Sequence, residues 1–420
     1  METLKFLMVT THYPPSHLGG DAVFVQNLSE ELARRGHDVH VAFNPSVYEL
    51  LRKKKPPMVQ NTAPLGITRH ILSTGRLGHT RILLTLSFEM SGKARTEVQG
   101  LTRALKPDVV HWHNTKGLIG KPFAVPGSSA LYTAHDYYLV CPRSNLVKPD
   151  MSFCRQPKAC LLCTVRWRKP PEIWRSGGRR VIRLPNEMRI LAPSEYVARR
   201  LSEDGISPYR VLRTFVPDAG NRFAHAMPES DTVLYVGLLE PHKGVRTLLE
   251  AFIKSSTRQG FKLHMIGEGS LKAELKARVN SAGLEKRVEV PGFLPTAEVN
   301  LASAEAAVLV IPSEWPENAP LVVLEAFSRG VPVLGSDQGG LPEILGPDTG
   351  SRMFKAGEVN SLSEALVSIW SQRDRLEGLG RMARKAWETR FSPQTHVNQY
   401  ISIIRGVDTD ASEALGIQEA

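Results

Sequence analysis

The sequence predicts an α/β protein of two domains, each built on a doubly wound parallel sheet. Short apolar runs alternate with amphipathic segments of helical period along most of the chain, and this alternation favours parallel strands joined by helical crossovers. The chain has 420 residues, more than one compact core ordinarily needs. A second series of strands and helices begins after residue 231. These observations predict domains at 1–215 and 216–385, with a C-terminal helix and tail at 386–420.

The first domain begins with a strand, a loop and a helix. The apolar run Lys5–Thr10 predicts the strand, and Thr11–Gly20 is a loop rich in Pro, Gly and His. Apolar residues at helical spacing predict a helix over Val23–Arg35, and Gly36 provides its stop. The chain resumes as a strand at Asp38–Phe43. Three later runs predict further strands: Val109–Trp112, Ala130–Thr133 and Arg189–Ala192.

The second domain repeats this organisation. Thr232–Val236 predicts a strand and Val245–Ile253 a helix. Three more runs predict strands: Phe261–Ile266, Ala306–Ile311 and Val331–Leu334. The amphipathic stretch Arg381–Ile404 is long enough to reach back toward the first domain. Two such domains facing each other place the carboxyl ends of both sheets at one cleft, and ligands of open α/β sheets bind at those ends.

Positive charge is concentrated in the first half of the chain. Residues 1–220 contain 32 Lys and Arg against 17 Asp and Glu, a net charge of +15, whereas residues 221–420 carry −4. The asymmetry indicates either an anionic partner or solvated surface charge. We find no nucleic-acid module, so nucleic acid is not expected as a partner. No apolar run approaches the ~20 residues that span a bilayer, and the amino terminus resembles a buried strand more than a signal peptide. We therefore expect a cytoplasmic protein.

Residues 141–185 interrupt the alternation with a stretch rich in Cys, Arg, Pro and Trp. We expect an irregular excursion, because long excursions in compact domains are usually functional or disordered. It contains all four cysteines of the chain: Cys141, Cys154, Cys160 and Cys163. A reducing compartment argues against disulfides, which leaves a structural zinc site or buried and unpaired thiols. Only Cys160 and Cys163 have a familiar ligand spacing.

The same excursion is a candidate surface for peripheral binding to an anionic membrane. Trp167 and Trp174 interleave with basic side chains within Val165–Arg175, a combination that suits the lipid headgroup region. Arg52–Lys55 adds a second basic run. The alternative is that both tryptophans pack inside the excursion while the arginines face water.

Three loop-to-helix junctions carry the candidate ligand-binding residues. Gly19 and Gly20 open the first helix, where residues without side chains let backbone N–H groups approach an anion. This is not a GxGxxG sequence, so a nicotinamide dinucleotide is not implied. In the second junction, Val236–Gly244, Lys243 lies just before a helix. Its ammonium group can either meet a phosphate or simply face water.

The third junction, Pro312–Phe327, carries two glutamates. Pro320 suits the first turn of a helix, so Glu317 falls in the preceding loop. Glu325 lies inside an otherwise apolar helix, where a buried carboxylate needs a partner. That partner is either a nearby Arg or Lys, or a ribose diol, with the free N–H groups of Ala319 and Leu321, on either side of Pro320, facing phosphate or sugar.

These motifs, in this order and spacing, resemble those of the retaining GT-B glycosyltransferases of glycosyltransferase family 4. Glu317 and Glu325 reproduce the family's E-x7-E motif, and the resemblance extends over about residues 4–400. The other matching elements are Gly19-Gly20, Thr133–Asp136, Lys243-Gly244, Ile266–Gly269 and Gly339–Glu343. The resemblance implies the GT-B fold, in which two Rossmann-like domains face each other across a cleft.

The resemblance also implies roles for individual residues. Glu317 is expected to contact hydroxyls of the donor sugar, and Glu325 the ribose hydroxyls. Backbone groups of Asn318, Ala319, Pro320 and Leu321, together with the Gly19-Gly20 loop, are expected to hold the sugar and the diphosphate. No metal cofactor is expected, because the one Asp-x-Asp sequence of the chain, Asp408-Thr409-Asp410, lies outside the residues over which the resemblance extends.

Two further residues complete the implied site. Lys243 is expected to neutralise the diphosphate as it leaves. His135 is expected to lie over the sugar, where it stabilises the transition state or positions the acceptor; the alternative is a neutral core histidine. The family usually has an arginine where this chain has Leu238. His242, Arg246 or Arg143 could take its place.

We therefore expect a retaining glycosyltransferase. It would move a hexose or similar sugar from a nucleotide diphosphate sugar to a glycan or lipid-linked acceptor, in surface polysaccharide biosynthesis. Two alternatives are open. One is a nucleotide-sugar epimerase or hydrolase of the same fold, and the other is a catalytically silent partner in glycan assembly, which Leu238 favours.

Overall fold

The structure is a computed structural model that describes residues 2–17, 19–52, 64–90, 92–155, 160–176, 180–220, 230–256 and 260–407. The chain forms two compact units. The first comprises residues 1–193, 198–213 and 393–420, and the second comprises residues 194–197 and 214–392. The sequence places the domain boundaries at 215 and 385, and the contacts divide the chain after Arg213 and after Ser392.

The first unit is built on a seven-stranded sheet in which every strand pairs in parallel. The strands are β1 (Lys5–Val9), β2 (Asp38–Phe43), β3 (Thr68–Ile71), β4 (Val109–Trp112), β5 (Ser129–Thr133), β6 (Arg189–Ala192) and β7 (Arg210–Val211). Their order is β3-β2-β1-β4-β5-β6-β7. The chain therefore reverses its direction of winding between β1 and β4. Loops that follow the strands diverge at such a point and leave a crevice.

Helices accompany these strands. They are α1 (Gly20–Arg34), α2 (Pro45–Arg52), α3 (Gly78–Phe88), α4 (Gly92–Leu105), α5 (Cys160–Arg166) and α6 (Glu195–Ser202). In α1 the residues Ala22, Val25, Leu28 and Leu32 are buried. This three- and four-residue spacing places one apolar face of the helix against the sheet.

The last described helix, α14 (Pro393–Arg405), belongs to the first unit. Its buried residues follow helical spacing, and the ring of Tyr400 stacks on Phe6 of β1 with centroids 6.1 Å apart. Arg35 at the end of α1 donates hydrogen bonds of 2.9 Å to both Gln394 and Asn398. The predicted return of a C-terminal helix to the first domain is confirmed.

The second unit has a six-stranded parallel sheet of order β10-β9-β8-β11-β12-β13. Its strands are β8 (Thr232–Val236), β9 (Lys262–Ile266), β10 (Val288–Gly292), β11 (Val308–Ile311), β12 (Val333–Ser336) and β13 (Arg352–Phe354). Its helices are α7 (Val245–Ser256), α8 (Lys272–Ser281), α9 (Thr296–Glu305), α10 (Leu321–Arg329), α11 (Leu341–Ile344), α12 (Val359–Ser371) and α13 (Leu376–Ala386). The direction of winding reverses between β8 and β11. The predicted fold class of two doubly wound parallel sheets is confirmed.

The excursion at 141–185 is more ordered than the sequence predicts. It contains α5, and a buried ion pair joins Glu172 to Arg175 at 3.1 Å. The guanidinium of Arg175 also donates hydrogen bonds to the backbone oxygens of Tyr138, Leu139 and Arg180. A buried charge is stabilised when every donor is satisfied in this way. This arrangement holds the excursion to the loop that follows β5.

Both tryptophans of the excursion are half-buried and make contacts within the first unit. Trp174 donates a 2.9 Å hydrogen bond to the backbone oxygen of Leu86 in α3, and Trp167 lies beneath the guanidinium of Arg143 at 4.0 Å. Both rings are only partly covered by these contacts, and their role at a lipid surface stays a prediction. The basic residues 53–55 of the second predicted run lie outside the described residues. Among the helices of the described ranges, none has both the length and the apolar character needed to cross a membrane.

Candidate functional site

Three loops of the second unit follow the carboxyl ends of β8, β11 and β12. The first loop ends at Gly244, whose φ is +68°. A Cβ atom at this position would lie 1.8 Å from the backbone oxygen of Pro312 in the second loop, so only glycine permits this approach. The amide of Gly340 in the third loop donates a 2.6 Å hydrogen bond to the backbone oxygen of Glu317. The backbone itself thus binds the three loops together.

This close packing brings Lys243 and Glu317 into contact. The Nζ atom of Lys243 lies 2.7 Å from Oε1 of Glu317, which is 7% exposed. The hydroxyl of Ser313 donates to the same oxygen at 2.5 Å. Burial by itself raises the pKa of Glu317, but the ammonium group and the donated hydrogen bonds outweigh it, and the pKa lies below its usual value. Glu317 is therefore an anion at neutral pH.

Two aromatic rings, those of Trp315 and His242, lie beside this ion pair. The Nζ atom of Lys243 lies 5.1 Å from the ring centroid of Trp315, and the ring of His242 meets Trp315 edge-on at 5.8 Å. A cation over an aromatic face gains further electrostatic stabilisation. The ammonium group is thus held by a carboxylate and a ring, and it lies at the end of the loop that follows β8.

The start of α10 lies directly after Glu317. Asn318 and Ala319 lead to Pro320, which caps the helix in an extended conformation, and the helix begins at Leu321. The sequence places Pro320 in the first helical turn, and the structure places it one residue earlier. The first N–H groups of a helix have no partner within it and attract negative charge. These groups make the start of α10 suited to bind a phosphate or a sugar hydroxyl.

Glu325 lies one turn into α10 and is largely buried. Burial raises the pKa of its carboxyl, and the nearby charge of Arg329 opposes that effect only in part. Arg329 donates its own hydrogen bonds to the backbone oxygen of Glu325 at 3.1 Å and to Asn300 at 2.8 Å. Within the described ranges no hydrogen bond or ion pair reaches the carboxylate of Glu325. The expected alternative of a salt bridge to Arg or Lys is thus not formed there.

Leu238 is 56% exposed where the resembling family has an arginine. Of the candidate replacements, Arg246 is engaged with Glu274 through two contacts of 2.6 and 2.7 Å. Arg143 lies in the first unit and stacks on Trp167. Lys243 is therefore the cation nearest to Glu317, with His242 adjacent in sequence.

In the first unit, His135 follows β5 and forms a hydrogen bond with a second histidine. Its Nε2 atom lies 2.9 Å from Nδ1 of His113, which follows β4. Burial lowers the pKa of His135 to about 3, so the ring is neutral at physiological pH. The sequence reasoning missed His113, although the pattern His111-x-His113 at the end of a buried strand could have indicated it.

The Gly19-Gly20 loop opens α1 in the first unit. Gly19 has a φ of +82°, and α1 begins at Gly20. The next residue, Asp21, accepts a 3.2 Å hydrogen bond from Asn114, and burial raises the pKa of its carboxyl. Sequence reasoning did not single out Asp21 as a site residue. Its position in the first turn of a helix that follows a buried strand is the signal that could have found it.

The four cysteines line one cavity of about 220 Å³. Burial raises the pKa of the Cys160 thiol to about 11 and also raises the pKa of Cys154 and Cys163, so these groups are protonated at neutral pH. Metal binding requires thiolates. Across the described ranges no group of three or more candidate ligands could hold a metal ion. A zinc site at these cysteines is therefore not supported, and all four are free thiols.

The structure brings some of the predicted residues together. Lys243 and Glu317 are in direct contact, and the backbone of Asn318 lies against Gly340. Ala319, Pro320 and Leu321 form the start of the same helix that carries Glu325. Gly19, Gly20 and His135 belong to the first unit, where Phe24 of α1 meets the ring of His135 at 5.3 Å.

Comparisons with known proteins agree with this arrangement. The family model described as Glycosyltransferase Family 4 matches residues 18–219, and the model described as Glycosyl transferases group 1 matches residues 220–386. An uncharacterized glycosyltransferase of Methanocaldococcus jannaschii is 26% identical over 81% of this chain and 83% of its own length. An amylovoran biosynthesis glycosyltransferase of Erwinia amylovora is 27% identical over 41% of this chain and 44% of its own length.

A solved structure has the same fold. The Anabaena protein HepE, in complex with UDP-glucose, covers 96% of this chain and 100% of its own, with a TM-score of 0.64 and 16% identity. The two sheets and this likeness define a GT-B protein. The chain is a glycosyltransferase: the Glycosyltransferase Family 4 model matches its first half and the Glycosyl transferases group 1 model matches the part that follows.

Proposed function

We propose that this glycosyltransferase takes its sugar from a nucleotide diphosphate sugar and transfers it with retention of configuration. The acceptor is a glycan or a lipid-linked sugar, and the product contributes to a surface polysaccharide. The observation that carries the proposal is the contact of Lys243 with Glu317 beside the start of α10. The chain is similar to a protein solved in complex with UDP-glucose and to one named for amylovoran biosynthesis, and these similarities support the choice of donor and product.

On this proposal each polar group of the second unit meets one part of the donor. The ammonium of Lys243 and the first N–H groups of α10 attract the diphosphate. The carboxylate of Glu317 accepts hydrogen bonds from sugar hydroxyls. Glu325 accepts two hydrogen bonds from the ribose diol, which explains why a largely buried carboxylate stands without a partner among the described residues.

The neutral state of His135 restricts what it can contribute. With a pKa of about 3, the ring neither donates a proton as imidazolium nor holds a positive charge at physiological pH. It acts as a neutral hydrogen-bonding group over the sugar. We therefore assign removal of the acceptor proton to an oxygen of the leaving phosphate, in a front-side attack that retains the anomeric configuration.

The proposal also includes docking of the first unit on an anionic membrane, where a lipid-linked acceptor would be found. Trp167 and Trp174 are half-buried. Beside them α5 presents Leu162 and Val165, which are 64% and 52% exposed, and next to these Arg166 and Lys169 are exposed as well. Apolar side chains flanked by cations suit the boundary between headgroups and acyl chains.

A panel of nucleotide sugars tests the donor assignment. We expect one UDP-, GDP- or ADP-sugar to raise the melting temperature of the purified protein, and the same compound to be consumed only when an acceptor is added. Conversion without an acceptor would instead indicate an epimerase or hydrolase. Absence of both stabilisation and turnover across the panel would contradict the proposal and favour a catalytically silent partner, as Leu238 would allow.

A further inference from the structure

Two buried histidines and one half-buried histidine gather at the carboxyl ends of β4 and β5 in the first unit. His111 lies in β4, and His113 continues that strand by donating its amide to the backbone oxygen of Val9 at 2.9 Å. Residues two apart in a strand point to the same face, and the rings of His111 and His113 accordingly lie against each other, tilted by 37°, with centroids 4.0 Å apart. The ring of His113 in turn lies 5.2 Å from that of His135. The three rings form one continuous row.

Hydrogen bonds of His111, at one end of the row, fix the orientation of the rings. His111 contacts the hydroxyl of Tyr400 in α14 through Nδ1 at 2.8 Å, and the hydroxyl of Thr133 in β5 through Nε2 at 2.8 Å. Both nitrogens of His111 are therefore occupied. Phe24 of α1 packs edge-on against His113 and His135. Rings held on several sides in this way keep a single orientation, so Nδ1 of His113 stays aimed at His135.

One proton lies between Nδ1 of His113 and Nε2 of His135. Burial lowers the pKa of both rings well below the physiological range, so both are neutral and each carries one proton. A hydrogen bond of 2.9 Å between Nδ1 of His113 and Nε2 of His135 therefore needs the proton on one side and a lone pair on the other. Two arrangements are possible, and they differ in which nitrogen of His135 carries its proton.

The other nitrogen of His113 decides between them. Its Nε2 atom is fully buried and meets no hydrogen-bonding partner within the described ranges. A buried N–H group without a partner is rarer and costlier than an under-used acceptor. The proton of His113 therefore resides on Nδ1, from which it is donated to Nε2 of His135. His135 then carries its own proton on Nδ1.

We propose that His113 is a positioning residue that holds His135 in the tautomer protonated on Nδ1. This rests on the proposed function to the extent that His135 acts on the sugar. The consequence is chemical: Nδ1 of His135 is an N–H donor instead of a lone pair. It therefore recognises an oxygen acceptor, such as the oxygen of a sugar hydroxyl, and it cannot remove a proton from the acceptor through that nitrogen.

Nitrogen-15 NMR of histidine-labelled protein tests the tautomer directly, because two-bond couplings to the ring protons distinguish Nδ1–H from Nε2–H. The signals of His135 are assigned by their loss in His135→Gln. We expect wild-type His135 to be protonated on Nδ1. His113→Leu should release it to a mixture or to Nε2–H, whereas His113→Asn, whose amide nitrogen replaces Nδ1, should preserve it. Wild-type His135 protonated on Nε2 would overturn the proposal, and so would an unchanged tautomer in His113→Leu.

Kinetics with the donor found in the panel supplies a second readout. His113→Leu should lower kcat about tenfold, the equivalent of one hydrogen bond lost in the transition state, with KM for the donor within twofold. His113→Asn should restore most of that loss, and His79→Asn on exposed α3 serves as the control. Equal loss in the Leu and Asn variants would contradict the positioning role. Failure of every donor to react would contradict the proposed function and leave the NMR result as the test of the tautomer.

Discussion

Replacing Glu325 with glutamine separates ligand binding from folding, because the two are expected to change in opposite directions. The carboxylate is largely buried, and within the described part of the chain no hydrogen bond or ion pair reaches it. Glutamine keeps the shape and removes the charge. The charge-assisted hydrogen bonds proposed to the ribose diol weaken by about 2 kcal/mol, which corresponds to roughly a 30-fold increase in Kd.

The expected effect on stability follows from the raised pKa of Glu325. The folded state binds this proton more tightly than the unfolded chain, so ionisation costs the folded state free energy once the pH rises above the unfolded pKa of about 4.3. Glu325→Gln removes this cost. The melting temperature of the variant should therefore equal or exceed that of wild type at pH 7 to 8, and its advantage should shrink as the pH falls toward the unfolded pKa.

Isothermal titration calorimetry with UDP, GDP and ADP measures the affinity, and thermal unfolding at pH 5 and pH 8 measures the stability. Glu364→Gln is the matched control, because Glu364 is an exposed carboxylate on α12 of the same unit. Equal Kd for wild type and Glu325→Gln would refute the assignment to the ribose. A variant that is less stable than wild type at pH 8 would refute the reasoning from burial.

Three further outcomes are expected. Lys243→Met leaves the buried carboxylate of Glu317 without its cation and should lower the free energy of unfolding by about 3 kcal/mol in chemical denaturation. Adding Glu317→Gln to this variant should recover much of the lost stability. If the double variant recovers none, the loss has another origin. Turnover should be unchanged by EDTA, and activity that is lost with EDTA and regained with manganese would contradict the proposed metal-free chemistry. The protein should sediment with vesicles rich in anionic lipid at low salt, and less of it should do so when Leu162 and Val165 are both replaced by serine. Leu301→Ser, at another exposed leucine, is the control. Equal sedimentation of the double variant and the control would exclude α5 as the docking surface.

The strands that the sequence predicted are those at the centre of each sheet. Phe6, Leu7, Met8 and Val9 of β1 are fully buried, because neighbouring strands and helices cover both faces. A strand buried on both faces is an unbroken apolar run, which is visible in a single sequence. The helix α14 was predicted for a similar reason, since its apolar residues keep helical spacing over its whole length.

The strands that the sequence missed lie at the edges of the two sheets. These are β3, β7, β10 and β13. In β10 buried and exposed residues alternate, and β7 is only two residues long. An edge strand pairs on one side and needs less apolar surface, so it gives no continuous run for sequence reasoning to detect.

The residues of the candidate site show the same difference: some are indicated by a short stretch of sequence, and others depend on contacts between distant parts of the chain. Glu317 and Lys243 were identified from motifs that each lie in one short stretch of sequence. The partnership of His113 with His135 depends on the pairing of β4 with β5, and the hydrogen bond of Trp174 depends on a backbone oxygen 88 residues away. Composition alone suggested a lipid-facing role for that tryptophan, and it could not indicate this distant contact.

The pairing of Lys243 with Glu317 gives a physical reason for selectivity toward an intact donor. In the ligand-free fold each group compensates the charge of the other. On the proposed assignment a diphosphate draws the ammonium away and leaves a carboxylate that is 7% exposed without its cation, which is costly. When a nucleoside diphosphate without a sugar binds, nothing offsets this unfavourable free energy. A nucleotide sugar offsets it, because the sugar hydroxyls donate hydrogen bonds to Glu317 as the phosphate accepts them from Lys243. With Leu238 in place of a second cation, the binding of the leaving group and the recognition of the sugar are thus coupled through one ion pair.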